Sequence, residues 1–133
     1  MGLQEKRLLK QVLEEQLPQT KAEIKEICGA EIPVEIDQDS FMNDQYAKGC
    51  LEGVKGYGMD MAVEALKLVC KDDMGKDAVK EGLKKVLFRN LPNEKQMDLT
   101  TYMKEGVVTV EAHWGGAGYV SSGQIQDVIE GGL

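Results

Sequence analysis

His113 is the only histidine in this 133-residue chain, and so the only side chain whose ordinary pKa suits proton transfer near neutral pH. Its neighbours follow from the polarity pattern. Residues 97–104 alternate, Glu105-Gly106 has the form of a two-residue turn, and residues 107–114 alternate back, so that paired positions sum to 211. One face of the hairpin then reads Met97–Trp114, Leu99–Ala112, Thr101–Val110 and Met103–Val108. The other reads Asp98–His113, Thr100–Glu111, Tyr102–Thr109 and Lys104–Val107. A slip by one residue would set apolar against polar side chains along the whole ladder. This register places Asp98 and Glu111 beside His113, and carboxylates that orient an imidazole are what a general base requires. His113, Asp98 and Glu111 are therefore the candidate catalytic residues. No nucleophile accompanies them: Ser121 and Ser122 lie beyond a glycine run, and Tyr102 is two pairs away. The simpler account is a polar, outward-facing strand surface.

Three other groups of residues have chemical potential. Gly115-Gly116-Ala117-Gly118 stands between a strand and a helix opened by Ser121, where backbone N–H groups can hold an anion. Gly115, Gly116, Gly118 and Ser121 are thus candidate ligand-binding residues, although the run lacks the lysine of a P-loop and the Gly-x-Gly-x-x-Gly of a dinucleotide site. Asp37-x-Asp39 followed by Asp44 has the outline of a calcium loop. It fails where Phe41 cannot coordinate and Met42 replaces the glycine, so helix capping explains it better. Cys28, Cys50 and Cys70 are widely spaced, with neither a Cys-x-x-Cys pair nor zinc-ligand spacing. They are expected to be unlinked, buried thiols. No metal site and no cofactor are expected.

The charge of −7 is uneven: residues 31–60 carry 7 acidic and 2 basic side chains, and residues 91–133 carry 6 and 2. This opposes contact with phosphate backbones, so no nucleic-acid partner is expected, and a basic protein partner is the kind such a surface suits. No apolar run approaches the roughly 20 residues of a membrane helix, and residues 1–20 carry Glu5, Lys6, Arg7 and Lys10 in place of an apolar leader. A cytoplasmic protein without membrane contact is expected. Composition does not bear on oligomeric state.

The elements that position these groups follow from periodicity. Leu8, Leu9, Val12, Leu13 and Leu17 form one helical stripe, predicted to end or kink at Pro18. Thr20 with Glu23 reads as a capping box for a second helix stopped by Gly29. Strands are predicted at about 32–37, 85–90, 97–104 and 107–114, with the last three as a meander. Helices are predicted from about 41 to 57, where four glycines weaken the pattern, then through Ala62–Val69, from Asp77, and from Ser121. The expected fold is one α+β domain with a mainly antiparallel sheet of about four strands, helices covering one face. Functionally, the first reading is a non-enzymatic protein-binding or regulatory module acting through its acidic surface or the open face of the sheet. The alternative is a small enzyme or ligand-binding protein using His113 with Asp98 and Glu111 beside the 115–118 loop.

Overall fold

A computed structural model describes residues 2–92, 100–116 and 120–133 of the chain. Among these residues, five helices pack on one face of a four-stranded sheet. Helix α1 runs from Leu3–Gln11 through a π-helical turn, Val12–Gln16, into Leu17–Cys28. It does not stop at Pro18. The π turn lies one turn upstream, and the i→i+5 spacing absorbs the donor that proline lacks. Thr20 is consequently inside the helix, where its hydroxyl donates to Gln16 O at 2.9 Å instead of capping a new start. Gly29 ends α1 in the left-handed conformation (φ 70°), as its position suggests.

Strand β1 (Val34–Ile36) leads into α2 (Gln38–Met42), capped by the Asp37 side chain on Ser40 N. Helix α3 comprises Ala47–Val54, a second π-helical turn at Lys55–Met59, and Asp60–Val69. Helix α4 (Asp73–Gly82) precedes β2 (Lys85–Asn90). Strands β3 (Thr100–Lys104) and β4 (Val107–Ala112) form the hairpin, and α5 (Ser122–Gly132) follows, opened by a Ser121–Gln124 capping box.

The hairpin has the expected register, from Thr100↔Glu111 to Lys104↔Val107. Glu105 and Gly106 both have positive φ, 53° and 82°, the geometry of a tight turn whose twist matches the strands. Met97, Asp98 and Leu99, with the three pairs assigned to them, lie outside the described residues. The rest of the sheet departs from a meander. Its order is β1-β2-β4-β3, with β1 parallel to β2 and β2 parallel to β4, so it is mixed and mostly parallel. Polarity alternation fixes which face a side chain takes but not the direction of the neighbouring strand. The connection from β1 to β2 contains α2, α3 and α4, long enough to carry the chain back for parallel pairing.

Val86 and Phe88 of β2 and Val108 and Val110 of β4 face the helices, and Trp114 lies under the sheet edge with its ring edge-on to Phe88. Trp114 also donates its indole N–H to Arg89 O at 3.0 Å. Cys28, at the end of α1, and Cys70, just past α3, form a disulfide with Cα atoms 5.4 Å apart. This corrects the expectation of three unlinked thiols: the two helix ends meet although 42 positions separate them in sequence, which spacing alone does not disclose. Cys50 is free and buried. No helix is long and apolar enough to cross a membrane among the described residues.

Candidate functional site

Because β1, β2 and β4 are parallel, their carboxyl ends share one edge of the sheet, and in parallel sheets this is where ligand crevices open. Asp37 follows β1, Asn90 ends β2, and His113 follows β4. The loop between α2 and α3 crosses the same edge and contributes Asn43, Asp44 and Gln45. A cleft of about 690 Å³ opens there, lined by Asp37, Asp39, Ser40, Asn43, Asp44, Gln45, Asn90 and Pro92.

Asn90 organises the edge. It is 3% exposed, and every polar atom of its side chain is engaged: Nδ2 donates to Ser40 O (3.2 Å) and Asp44 Oδ2 (2.9 Å), and Oδ1 accepts from Trp114 N (3.2 Å). Its own backbone N–H donates to Ser40 Oγ at 3.0 Å. One side chain therefore ties the α2–α3 loop to the ends of β2 and β4. Asp44 is further fixed by Tyr46 N, which donates to Oδ1 at 2.7 Å in an Asx turn.

Behind Asp44 lies a buried group. His113 Nδ1 stands 3.7 Å from Asp44 Oδ2 and 3.9 Å from Cys50 Sγ, and its nearest partner is Leu91 O at 2.9 Å. With a carbonyl as that partner, Nδ1 is assigned the ring proton. Tyr46 meets the imidazole edge-on, with centroids 6.0 Å apart. Gly115 backs onto the ring, where a Cβ would come 2.9 Å from Nε2 and 3.4 Å from Cys50 Sγ. Burial, and next the Asp44 charge, push the Cys50 thiol up to about 12. A thiol so protonated is no nucleophile at neutral pH. The Cys50, His113 and Asp44 contacts also converge on one ring nitrogen, whereas a nucleophile–base–orienter relay needs both.

Of the residues singled out by sequence, His113 is buried at this edge with Gly115 beside it. Glu111 is engaged elsewhere, on the open face of the sheet, where it accepts from Thr100 Oγ1 (2.6 Å) and Arg89 Nη1 (3.4 Å). Gly116 adopts φ 125° in the turn after Trp114, and Ser121 caps α5. Asp98 and Gly118 lie outside the described residues. In the sequence Asp39 and Asp44 read with Asp37 as a calcium-loop outline better assigned to helix capping, Cys50 as a buried thiol, and Asn90 as part of a loop. The structure brings Asp37, Asp39, Asp44 and Asn90 to one cleft with Cys50 behind Asp44. Their shared signal is an acidic segment following one strand and an Asn-Leu-Pro segment ending another, which points to a site only once the two strands are known to be parallel. Compared with known proteins, no family model matches the chain, and neither a curated sequence nor a solved structure is significantly similar to it.

Proposed function

We propose that the protein is a binding module that takes a cationic ligand in the cleft at the carboxyl ends of β1, β2 and β4. The observation that carries this reading is the uniform sign of the lining. Asp37, Asp39 and Asp44 converge with neutral hydrogen-bonding side chains, and no Lys or Arg is among the lining residues. Arg89 offsets Asp37 from the side at 3.1 Å, whereas Asp39 has no cationic partner among the described residues. A volume of about 690 Å³ suits a small ligand or the tip of a basic side chain presented by a protein partner. A binding role also asks for no nucleophile, in keeping with the protonated Cys50.

The open face of the sheet offers less to a cationic partner, because its carboxylates, Glu35 and Glu111, already face cations of the chain. Glu35 pairs with Lys85 at 2.8 Å, and Arg89 bridges Asp37, Glu111 and the Tyr102 hydroxyl.

Calorimetric titration with calcium ion and with the organic dication putrescine tests the reading, with inorganic phosphate as the anionic control. We expect at least one cation to bind at one site per chain, and Asp39→Lys to weaken it by about tenfold or more through like-charge repulsion. Asp39 is exposed, so the substitution leaves the core intact. Absence of binding by both cations, or binding that Asp39→Lys does not change, would overturn the assignment.

A further inference from the structure

We propose that Cys50, His113 and Asp44 form a site for a borderline-soft divalent metal ion of the zinc class, on the inner wall of the cleft. The inference rests on the cation-binding reading above and specifies the cation. Each of the three side chains supplies one ligand atom, and these atoms lie within 4.8 Å of one another. All are withdrawn from water: Cys50 is fully buried, and the side chains of His113 and Asp44 are 4% and 5% exposed. In a tetrahedral zinc site with bonds of about 2.0 Å to nitrogen and oxygen and 2.3 Å to sulfur, such atoms are about 3.4–3.6 Å apart. The Nδ1 distances of 3.7 and 3.9 Å need to close by a few tenths of an ångström, and the Asp44–Cys50 separation, within 4.8 Å, by up to about 1.3 Å.

The mixture of ligands identifies the ion. A thiolate and an imidazole favour zinc and its transition-metal neighbours, while calcium and magnesium take oxygen alone. The surroundings are those of a supported site. Asn90 and Tyr46 N hold the Asp44 carboxylate in place, each using one lone pair and leaving others for the ion. Gly115 leaves room for the imidazole and the sulfur, since its Cβ would crowd both. The disulfide removes Cys28 and Cys70 from competition, leaving Cys50 as the only thiol.

The proton balance is explicit. Metal binding displaces the Cys50 proton to solvent. His113 gives up its Nδ1 contact with Leu91 O and carries its single ring proton on Nε2, remaining neutral. Three protein ligands leave the fourth position for water or a ligand from the cleft, which Asp44 also lines.

The test is titration of the full chain, without reductant, with cobalt(II) as a spectroscopic substitute and zinc(II) in competition. We expect one cobalt per chain with a thiolate-to-metal charge-transfer band, displacement by zinc, and loss of the band in Cys50→Ala and in His113→Ala. X-ray absorption at the zinc edge of the wild type needs no variant to fold: one sulfur at about 2.3 Å with nitrogen or oxygen at about 2.0 Å supports the site. Cobalt bound without a thiolate band, indifferent to Cys50→Ala but lost in Asp39→Lys, overturns this inference and leaves the cation-binding cleft standing. No bound cobalt or zinc also overturns it, and the calcium and putrescine titrations then decide the cleft separately.

Discussion

Asn90 is the side chain on which the sheet edge depends, since a single amide satisfies a loop carbonyl, a carboxylate and the backbone N–H of Trp114. Asn90→Leu keeps the number and branching of the side-chain heavy atoms and removes all three bonds. With each orphaned group costing about 1–3 kcal/mol, we expect a loss of about 3 kcal/mol or more in denaturant unfolding. A loss under about 1 kcal/mol would show that the network is not made. This residue also shows why the site was only partly legible. In the sequence Asn90 reads as the first residue of a loop, Cys50 as a buried thiol, and Asp44 as the end of an acidic segment better explained by helix capping than by a calcium loop. Their partnership joins positions 44, 50, 90 and 113, which no local pattern links. His113 was found because it is the only histidine, and Glu111 was grouped with it because they share a strand face. The chain turns after Ala112, however, and the two side chains find different partners.

The glycines of α3 separate two uses of one residue type. At Gly53 a Cβ would lie 1.9 Å from Trp114 O, so only glycine lets the helix backbone meet the chain leaving β4. Gly56, in the π-helical turn, has nothing within 4 Å of its Cβ position. We therefore expect opposite signs: Gly53→Ala should cost at least the ~1–3 kcal/mol of overpacking, and Gly56→Ala should gain up to about 1 kcal/mol from helix propensity. Thermal unfolding of the two variants checks the pair, and two shifts of the same sign would contradict the packing of α3 on the β4 exit. The elements themselves were legible where period and turn chemistry act together. The 3.6-residue stripes mark the helices, and the Glu105-Gly106 turn fixes the hairpin register residue by residue. The direction of β2 was not, because both parallel and antiparallel neighbours accept the same alternation of Val86, Phe88 and Asn90. Nor was the continuity of α1 through Pro18, which depends on a π turn that hydrophobic spacing does not encode.

The Cys28–Cys70 bridge encloses β1, α2 and α3, and with them Asp44 and Cys50. With its ends 42 positions apart in sequence, the loop-entropy relation gives a stabilisation of about 4 kcal/mol. Denaturation with and without a phosphine reductant should differ by about that amount. Thiol counting should find none reactive in the native protein, one in denaturant alone and three after reduction; three without reductant would show that the bridge is absent. The charge distribution concerns the molecule as a whole as well. Three of the seven acidic residues in the second quarter of the sequence, Asp37, Asp39 and Asp44, meet at the carboxyl edge of the parallel strands, which directs cations there and repels anions. The amide NMR spectrum of isotopically labelled protein, titrated in parallel with calcium, putrescine, zinc and phosphate, tests this most directly. The account predicts that at least one cation shifts residues 37–45 and Asn90 progressively and leaves the exposed face of α1 unmoved, and that phosphate leaves 37–45 unmoved. Cation-induced shifts confined to other surfaces, or a cleft that responds to phosphate and to none of the cations, would contradict it.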